Sequence, residues 1–267
     1  MELPVVDFSS WYNPQDEGSR QRVAHGLVDA CQRVGFVRII NHSIPETILD
    51  ETFGRKLREV PDVKEVYDIG SENDKGQPNQ WLPEPTIPGF RAFITRFYND
   101  CDRIGEDIFR ALAVGLNLED IEYLAGKHSG DSNRLRLLHY LAVPAEDLEE
   151  ERVMRCAAHS DWSSITLLFQ DDCGGLEIII NIGDLLMRWG NDRLRSTTHR
   201  VGLPELSDRF EGPARMTRER FSIPYFISPD DDTLIECIPS CISEEEPAKY
   251  EPITRWGYHK MRMATMY

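Results

Sequence analysis

The sequence lacks the features that mark secreted, disulfide-bonded or membrane-embedded proteins. Its six cysteines form no Cys-x-x-Cys pair and match no small disulfide framework, so we expect them to be reduced thiols. No apolar run approaches the roughly 20 residues that cross a bilayer. The first residues have neither the basic nor the apolar part of a secretory signal. These absences predict a cytoplasmic protein without a membrane partner.

Basic residues are scarce relative to acidic ones. The chain has 30 Lys and Arg residues against 46 Asp and Glu residues, which gives a formal net charge of −16. Proteins that bind nucleic acid or an anionic membrane need a basic surface, so the composition disfavours both partners. A small molecule responds instead to the local field of its pocket. Nothing in the composition indicates an oligomeric state.

Repeats, low-complexity tracts and linkers are also absent from the 267 residues. Helical periodicity prevails early, strand-like runs prevail later, and one helix is predicted in the tail. This order favours one α+β domain over residues 1–267, with a helical N-terminal region (1–130), a strand-rich core (131–230) and a C-terminal tail and helix (231–267). The predicted helices are 19–34, one that begins near Pro45, 92–116, 118–125 and one from Ile253; the predicted strands include 3–8, 36–40, 134–140 and 165–169.

The polar residues with the most chemical information lie at the ends of β-prone runs. His159 and Asp161 precede the run from Ile165 to Phe169. On an extended backbone, residues two positions apart point to the same side. A second β-prone run contains His199. Two histidines and one carboxylate on rigid strands make the facial triad that holds Fe(II) and leaves positions open for substrate and oxygen.

A third motif is Arg220-Phe221-Ser222, which opens another apolar strand. Taken together, the motifs resemble the 2-oxoglutarate/Fe(II)-dependent dioxygenases of the isopenicillin N synthase-like family, over nearly the whole chain. The later part has the family's HxD, His and RxS motifs in order. In the earlier part, Gly35-Phe36 and Asn41-His42-Ser43-Ile44-Pro45 are similar to the family's Gly-Phe-Phe and Asn-His-Gly-Ile-Pro pattern. The resemblance implies a double-stranded β-helix (jelly roll) with an N-terminal helical cap region and a C-terminal helix.

The resemblance also implies the roles of particular residues. His159, Asp161 and His199 would be the iron ligands, with no further catalytic residue. Arg220 and Ser222 would hold the far carboxylate of 2-oxoglutarate, for which the planar fork of arginine is suited. The cofactors would then be Fe(II) and, as cosubstrates, 2-oxoglutarate and O₂.

Further residues are weaker candidates. Tyr140 matches a tyrosine that contacts the cosubstrate, although Leu138-His139-Tyr140-Leu141 departs from the family's Asn-Tyr-Tyr-Pro pattern. Trp162 and Phe226 are candidates for the wall of a substrate cavity, with core packing as the alternative. Arg91 is a candidate for contact with a substrate carboxylate.

The function expected from the resemblance is the oxidation of a small organic molecule coupled to oxidative decarboxylation of 2-oxoglutarate. Hydroxylation is the default outcome, and desaturation or ring chemistry are alternatives. The sequence is closest in character to small-molecule enzymes of specialised metabolism. Two other functions stay open: an Fe(II)/O₂ oxidase that does not use 2-oxoglutarate, and a non-catalytic metal-binding jelly roll.

One stretch does not fit the expected fold. Only about 40 residues separate His159 from His199, whereas a jelly roll needs several antiparallel strands between these positions. The run from Leu176 to Ile182 contains no residue typical of a hairpin tip. We therefore expect residues to be missing near Glu177-Ile178, with a backbone that is discontinuous or sharply truncated there.

Overall fold

The protein is described by a computed structural model that covers residues 3–16, 18–45, 64–74, 76–149, 155–170, 177–201 and 215–266. Its strands are β1 Val5–Asp7, β2 Phe36–Ile40, β3 Lys64–Gly70, β4 Arg134–Tyr140, β5 Cys156–His159, β6 Ile165–Gln170, β7 Ile178–Ile182, β8 His199–Val201, β9 Arg220–Ile227, β10 Leu234–Ile235 and β11 Ile253–Thr254. Its α-helices are α1 Ser9–Tyr12, α2 Ser19–Arg33, α3 Phe90–Gly115, α4 Ala145–Glu149, α5 Asp184–Trp189 and α6 Arg255–Met266, and short 3-10 helices lie at Ala125–Lys127 and Pro239–Cys241.

Seven strands form the main sheet, in the order β1-β2-β7-β6-β9-β4-β3. The β1–β2 pair is parallel and the other pairs are antiparallel. Strands β5 and β8 pair separately as a two-stranded antiparallel sheet. A second small sheet consists of β10 and β11, and β11 directly precedes α6.

One face of the main sheet packs against α2 and α3 and forms the core. Helix α3 repeats apolar residues every three or four positions, which places Phe97, Ile104 and Ile108 on its buried side. The ring centroids of Phe97 and of Phe169 on β6 are 5.3 Å apart. This face is closed by helices, so the opposite face is the one that can hold a site.

The opposite face carries polar residues and meets the small β5–β8 sheet. Residues opposite one another on paired strands point to the same face, and Thr166 of β6 lies between Asn181 of β7 and Phe226 of β9. Thr166 and Asn181 both donate hydrogen bonds to Asp161, which follows β5. The β5–β8 sheet is therefore held over this face, as in a jelly roll.

Most predicted elements agree with the structure, with two differences among the described residues. The helix predicted for 118–125 is wrong, because this stretch consists mainly of turns and only Ala125–Lys127 is a 3-10 helix. The helix predicted in the tail begins at Arg255, after the short strand β11. The predicted helix that continues past Leu49 lies outside the described residues.

Strand β7 begins at the point where the sequence lacks an expected hairpin. It runs without interruption through Ile178–Ile182 and pairs with β6 on one side and β2 on the other. The expected break is therefore wrong within this strand. Residues 171–176, which connect β6 to β7, lie outside the described residues, so the missing hairpin stays a prediction.

In the described part of the chain, none of the helices is both long and apolar enough to cross a bilayer.

Candidate active site

His159, Asp161 and His199 converge where the small sheet meets the main sheet. One ligand atom from each residue lies within 4.8 Å of the other two. The Oδ1 atom of Asp161 is 3.5 Å from Nε2 of His159 and 3.8 Å from Nε2 of His199. His159 is the last residue of β5 and His199 is the first residue of β8. The pairing of these two strands places the histidines directly opposite one another.

The Asp161 carboxylate is fixed by the main sheet. Thr166 Oγ1 and Asn181 Nδ2 donate hydrogen bonds of 2.6 and 2.7 Å to its Oδ2 atom, so Oδ1 faces the two imidazoles. Burial by itself raises the pKa of this carboxyl, but the bonds from His159, Thr166 and Asn181 and the nearby His199 together hold the pKa below its usual value. Asp161 is therefore ionised at neutral pH.

The His199 imidazole is oriented by the Thr197 carbonyl, two residues earlier, and by Phe36, the first residue of β2. Its Nδ1 atom lies 3.1 Å from the Thr197 carbonyl oxygen, which can only accept, so Nδ1 carries the proton and Nε2 presents a lone pair. The Phe36 ring contacts the imidazole edge-on, with centroids 5.3 Å apart. The Thr197 hydroxyl donates to the Val34 carbonyl at 2.8 Å, which ties this segment to the end of α2.

Tyr140, Arg220 and Ser222 lie together on the site-facing side of the main sheet. Tyr140 and Arg220 are cross-strand partners, and the Arg220 guanidinium lies 5.4 Å from the centre of the phenol ring. Ser222 is two positions further along β9 and is 3% exposed. Burial raises the pKa of Tyr140, with a further contribution from Cys156 that Arg220 opposes. The phenol thus stays protonated and can donate a hydrogen bond.

The Arg155 guanidinium and the Cys156 thiol also lie near Tyr140 and the triad. Arg155, only 3% exposed, lies 5.8 Å from the centre of the Tyr140 ring and donates to the Arg218 carbonyl at 2.7 Å. Cys156 Sγ is 3.6 Å from Nδ1 of His159, and that hydrogen bond lowers the pKa of the thiol. Two arginines beside one tyrosine make this part of the site basic, although the whole chain is acidic.

The three candidates for the substrate cavity have different positions. Phe226 lies beside Thr166 on the site-facing side of the sheet. Trp162 follows Asp161 and contacts the C-terminal helix, with its ring 5.2 Å from the Arg262 guanidinium. Both are next to residues of the triad or its supports.

Arg91 lies at the opposite end of β3 from the cosubstrate candidates. Its guanidinium pairs with Glu72 at 2.6 Å, just beyond the end of β3. The last residue of β3 is opposite Arg134, which is itself opposite Phe226, whereas the first residue of β3 is opposite Tyr140. These two ends are about 20 Å apart along the strand. The contact of Arg91 with a substrate carboxylate stays a prediction.

Sequence reasoning missed Thr166, Asn181, Arg155 and Asp184. Asn181 could have been found, since it is the one polar residue in the otherwise apolar run Ile178–Ile182. A buried amide needs a hydrogen-bond partner, and a lone amide in a fully buried strand therefore indicates a polar neighbour across the sheet. The role of the other three depends on contacts that no local pattern contains.

The donor set suits a divalent iron ion. Ligand atoms at about 2.1 Å from an ion and at right angles to one another lie about 3 Å apart, close to the separations of Asp161 Oδ1 from the two Nε2 atoms. One carboxylate and two neutral imidazoles leave positions open on the ion. The triad thus provides one face of an octahedral site, and the protein supplies hydrogen bonds to the ligands behind it.

Comparisons with known proteins agree with this geometry. Residues 132–229 match the family model of the 2OG-Fe(II) oxygenase superfamily. Residues 3–55 match the model described as the N-terminal region of non-haem dioxygenases in morphine synthesis. The first match contains the triad and the Arg220-Ser222 pair, and the second contains β1, α2 and β2.

Relatives cover the whole chain. A proline hydroxylase of Petromyces alliaceus is 33% identical over 327 aligned positions that span 100% of both chains. That alignment is about sixty positions longer than this chain, so the relative contains segments that are absent here. A 2-oxoglutarate-dependent dioxygenase of Aspergillus rugulosus is 36% identical over 76% of this chain and 67% of its own length.

Solved structures show the same fold. A crystal structure of a full-length Neurospora crassa protein in complex with alpha-KG has a TM-score of 0.86 and 29% identity, covering 99% of this chain and 96% of that one. A 2OG-Fe(II) oxygenase family protein of Caulobacter crescentus, 23% identical, has a TM-score of 0.79 and covers 99% of both chains. The predicted α+β jelly roll is thereby confirmed, and the chain belongs to the 2-oxoglutarate/Fe(II) oxygenase superfamily as a dioxygenase that uses Fe(II) and 2-oxoglutarate.

Proposed function

We propose that this dioxygenase hydroxylates a small organic molecule of specialised metabolism at an iron site formed by His159, Asp161 and His199. The observation that carries the proposal is the convergence of their three ligand atoms, with the second carboxylate oxygen of Asp161 held by Thr166 and Asn181. We further propose that residues 1–267 act as one domain, because strands β1, β2 and β3 of the N-terminal region belong to the same sheet as the strands of the core.

In this proposal Arg220 pairs with the far carboxylate of 2-oxoglutarate, and Ser222 and Tyr140 donate hydroxyl hydrogen bonds to it. Arg220 and Tyr140 are adjacent across β9 and β4, and a guanidinium forms two parallel bonds with a carboxylate. The Arg155 guanidinium also contacts the Tyr140 ring and adds a second positive charge there. A dianionic cosubstrate is therefore attracted to this end of the site.

His159, Asp161 and His199 would hold an iron ion, which would supply the chemistry that couples decarboxylation of 2-oxoglutarate to succinate and CO₂ with transfer of the second oxygen atom of O₂ to a C–H bond of the substrate. The protein residues orient the participants. Thr166 and Asn181 keep Asp161 turned toward the ion, and the Thr197 carbonyl keeps the His199 proton on Nδ1. Phe226 and Trp162 are proposed to contact the substrate, since both lie beside this group.

The class of substrate rests on the relatives. One is named a proline hydroxylase, and the Neurospora crassa protein has also been crystallised with alpha-KG and thymine. Both molecules are small and cyclic. The other curated relative quoted above is a fungal 2-oxoglutarate-dependent dioxygenase, which supports a role in specialised metabolism and hydroxylation as the default reaction.

An anaerobic titration of the Fe(II) protein with 2-oxoglutarate tests the proposal without knowledge of the substrate. The metal-to-ligand absorption band should appear in the unmutated protein. Arg220→Ala removes one partner of a buried charge pair, which costs roughly 3–5 kcal/mol, and each 1.4 kcal/mol is about tenfold in affinity. The 2-oxoglutarate requirement should therefore rise by at least about two orders of magnitude, while iron stays bound.

Arg218→Ala is the matched control, because it removes the same charge from an exposed position two residues earlier. It should leave the titration unchanged. His199→Ala should abolish both stoichiometric iron and the absorption band. A band of equal strength in Arg220→Ala would remove Arg220 from the cosubstrate site, and full iron occupancy in His199→Ala would remove His199 from the ligands.

A further inference from the structure

The Asp184 side chain, at the first residue of α5, is the centre of a hydrogen-bond cluster next to the triad. Asp184 is 5% exposed. Its Oδ1 atom accepts a bond of 2.6 Å from the Ser196 hydroxyl. Its Oδ2 atom accepts bonds from the hydroxyls of Ser160 at 3.1 Å and Tyr258 at 2.9 Å, and it pairs with the Arg262 guanidinium. One carboxylate thus joins four side chains from three separate segments.

Two of those segments carry the triad. Ser160 lies between His159 and Asp161, and Ser196 lies in the segment that leads to His199. The Asp184 backbone N–H also donates to the Asp161 carbonyl at 2.8 Å. A shift of the Asp184 carboxylate would therefore move both ligand-bearing segments relative to one another.

The third segment is the C-terminal helix α6, which contributes Tyr258 and Arg262, one turn apart on the same face. Arg262 also lies 5.2 Å from the centre of the Trp162 ring, and the His259 ring meets Trp162 edge-on at 5.3 Å. Trp162 is the neighbour of Asp161. Helix α6 is thus attached to the ligand-bearing segment through Asp184 and through Trp162.

The charges explain why this attachment matters for the triad. A buried carboxylate that loses its cation is strongly destabilised, and Arg262 is the cation that contacts Asp184 in the described residues. If α6 leaves, Asp184 has to turn toward water or draw on its remaining donors, Ser160 and Ser196. Either response changes the spacing of the two segments that present His159, Asp161 and His199.

We propose that Asp184 is a positioning residue that couples the docking of helix α6 to the geometry of the His159-Asp161-His199 site. The proposal rests on the iron site of the proposed function. Because coupling between two binding events is reciprocal, docked α6 strengthens metal binding, and a bound metal stabilises docked α6 by the same factor.

Titration of the metal-free full chain with Mn(II), followed by the loss of the free Mn(II) paramagnetic signal, measures the first half of this coupling. Changing residues that support metal ligands costs about 10–100-fold in metal affinity. Arg262→Gln, which removes the cation, should weaken Mn(II) binding about tenfold, near the lower limit of that range. Tyr258→Phe, which removes one hydroxyl, should weaken it in the same direction by a smaller factor.

Arg255→Gln is the matched control. Arg255 belongs to the same helix and pairs with Asp231, whose side chain is 62% exposed, and this pair does not involve Asp184. The control should bind Mn(II) as the unmutated protein does. A loss equal to that of Arg262→Gln would assign the effect to general loosening of the helix and would overturn the role of Asp184.

Hydrogen exchange of the α6 amides measures the second half of the coupling, which is the stabilisation of docked α6 by a bound metal. Saturating Mn(II) should slow exchange in the unmutated protein by about the factor found in the titration. It should not slow exchange in Arg262→Gln or in the ligand variant His199→Ala. A residue that only stabilises the fold would change exchange equally with and without Mn(II).

The two proposals fail in different ways. No Mn(II) binding by the unmutated protein would overturn the iron site and the coupling with it. Normal Mn(II) affinity in folded Arg262→Gln would overturn the coupling alone. If Arg262→Gln does not fold, Tyr258→Phe decides, since unchanged affinity and unchanged metal-dependent exchange in that variant would also overturn it.

Discussion

Asn181 shows how one residue of the main sheet controls a residue of the site. Its amide is one of two donors to the Asp161 oxygen that faces away from the imidazoles. Leucine has a similar shape and no donor. Asn181→Leu should therefore leave Asp161 able to rotate and should weaken Fe(II) binding by about 10–100-fold, measured by anaerobic Fe(II) titration.

Ile180→Val serves as the control for this change. Ile180 is the neighbouring residue of the same strand and is fully buried among the helix-facing side chains. Its truncation should lower stability slightly and leave Fe(II) affinity unchanged. Equal Fe(II) affinities in the Asn181→Leu variant and the unmutated protein would show that Thr166 alone is sufficient to hold Asp161.

His128 illustrates a buried histidine with a purely structural environment. Its Nδ1 contacts the Leu124 carbonyl at 2.8 Å, its Nε2 contacts the Ser164 hydroxyl at 2.9 Å, and its ring stacks on Phe109. Burial lowers the pKa of His128 to about 4, opposed only in part by the bond to Leu124. In the unfolded chain the imidazole has its ordinary pKa near 6.5.

Between these two values the unfolded state binds more protons, so the His128 contribution makes stability fall as the pH decreases from about 6.5 to about 4. The full difference is on the order of 3 kcal/mol. His128→Gln, which cannot titrate, should remove this part of the pH dependence in urea unfolding. Burial also raises the pKa of Asp102 to about 6, which acts in the opposite direction, so the comparison is between the variant and the unmutated protein at each pH.

At the scale of elements, the junction of α2 and β2 determines where the His199 segment lies. Gly35 has φ +78°, and a Cβ atom there would lie 2.3 Å from the Arg195 carbonyl oxygen and 2.5 Å from the Thr197 hydroxyl. The left-handed conformation ends the helix, and the missing side chain allows this close approach. The family-like Gly35-Phe36 motif is thereby explained by contact with the segment that carries His199.

Gly35→Ala should destabilise the fold by at least about 2 kcal/mol, from backbone strain and the steric clash, and should also weaken Fe(II) binding. Gly126→Ala is the matched control, because nothing lies within 4 Å of its hypothetical Cβ atom. Urea unfolding and Fe(II) titration of both variants measure the two effects. A Gly35→Ala protein with unmutated stability and affinity would contradict this role for the junction.

Strand β7 shows what local sequence could not decide. The run Ile178–Ile182 is apolar enough for a buried strand, and its position between β6 and β2 places it in the middle of the main sheet. The absence of a turn residue predicts that a hairpin is missing before this strand, and that stays a prediction. The place of β7 inside the sheet depended on its pairing with β2, a strand distant in sequence.

For the whole molecule, stability resides mainly on the helix-facing side of the sheet. Phe97 and Phe169 are 0% and 1% exposed and join α3 to β6. Phe97→Ala should cost roughly 3–5 kcal/mol through lost burial and a residual cavity, measured by urea unfolding. The 2-oxoglutarate absorption band of the folded protein should persist, since this contact lies on the face opposite the site.

Ile121→Ala is a suitable control, because Ile121 is 48% exposed. Its removal should change stability by no more than about 0.5 kcal/mol. A similar loss in both variants would mean that the contact between α3 and the sheet does not dominate stability.

The site-facing side of the molecule is more open than the core. In the described residues the small sheet has only two strands, and the His159 side chain is 42% exposed, compared with 5% for Asp161. One imidazole of the triad is therefore open to solvent, while the carboxylate beside it is buried.

The sequence by itself determined the α+β class, the long helices, the strands 36–40 and 134–140, and the His159-Asp161-His199 and Arg220-Ser222 motifs. These depend on periodicity and on spacings of two residues, which are local properties of the backbone. Tertiary structure alone decided that Thr166 and Asn181 hold Asp161, that Asp184 joins α6 to both ligand-bearing segments, and that Arg91 pairs with Glu72. These contacts join residues from different elements, so their geometry follows from sheet order and register, which no short stretch of sequence specifies.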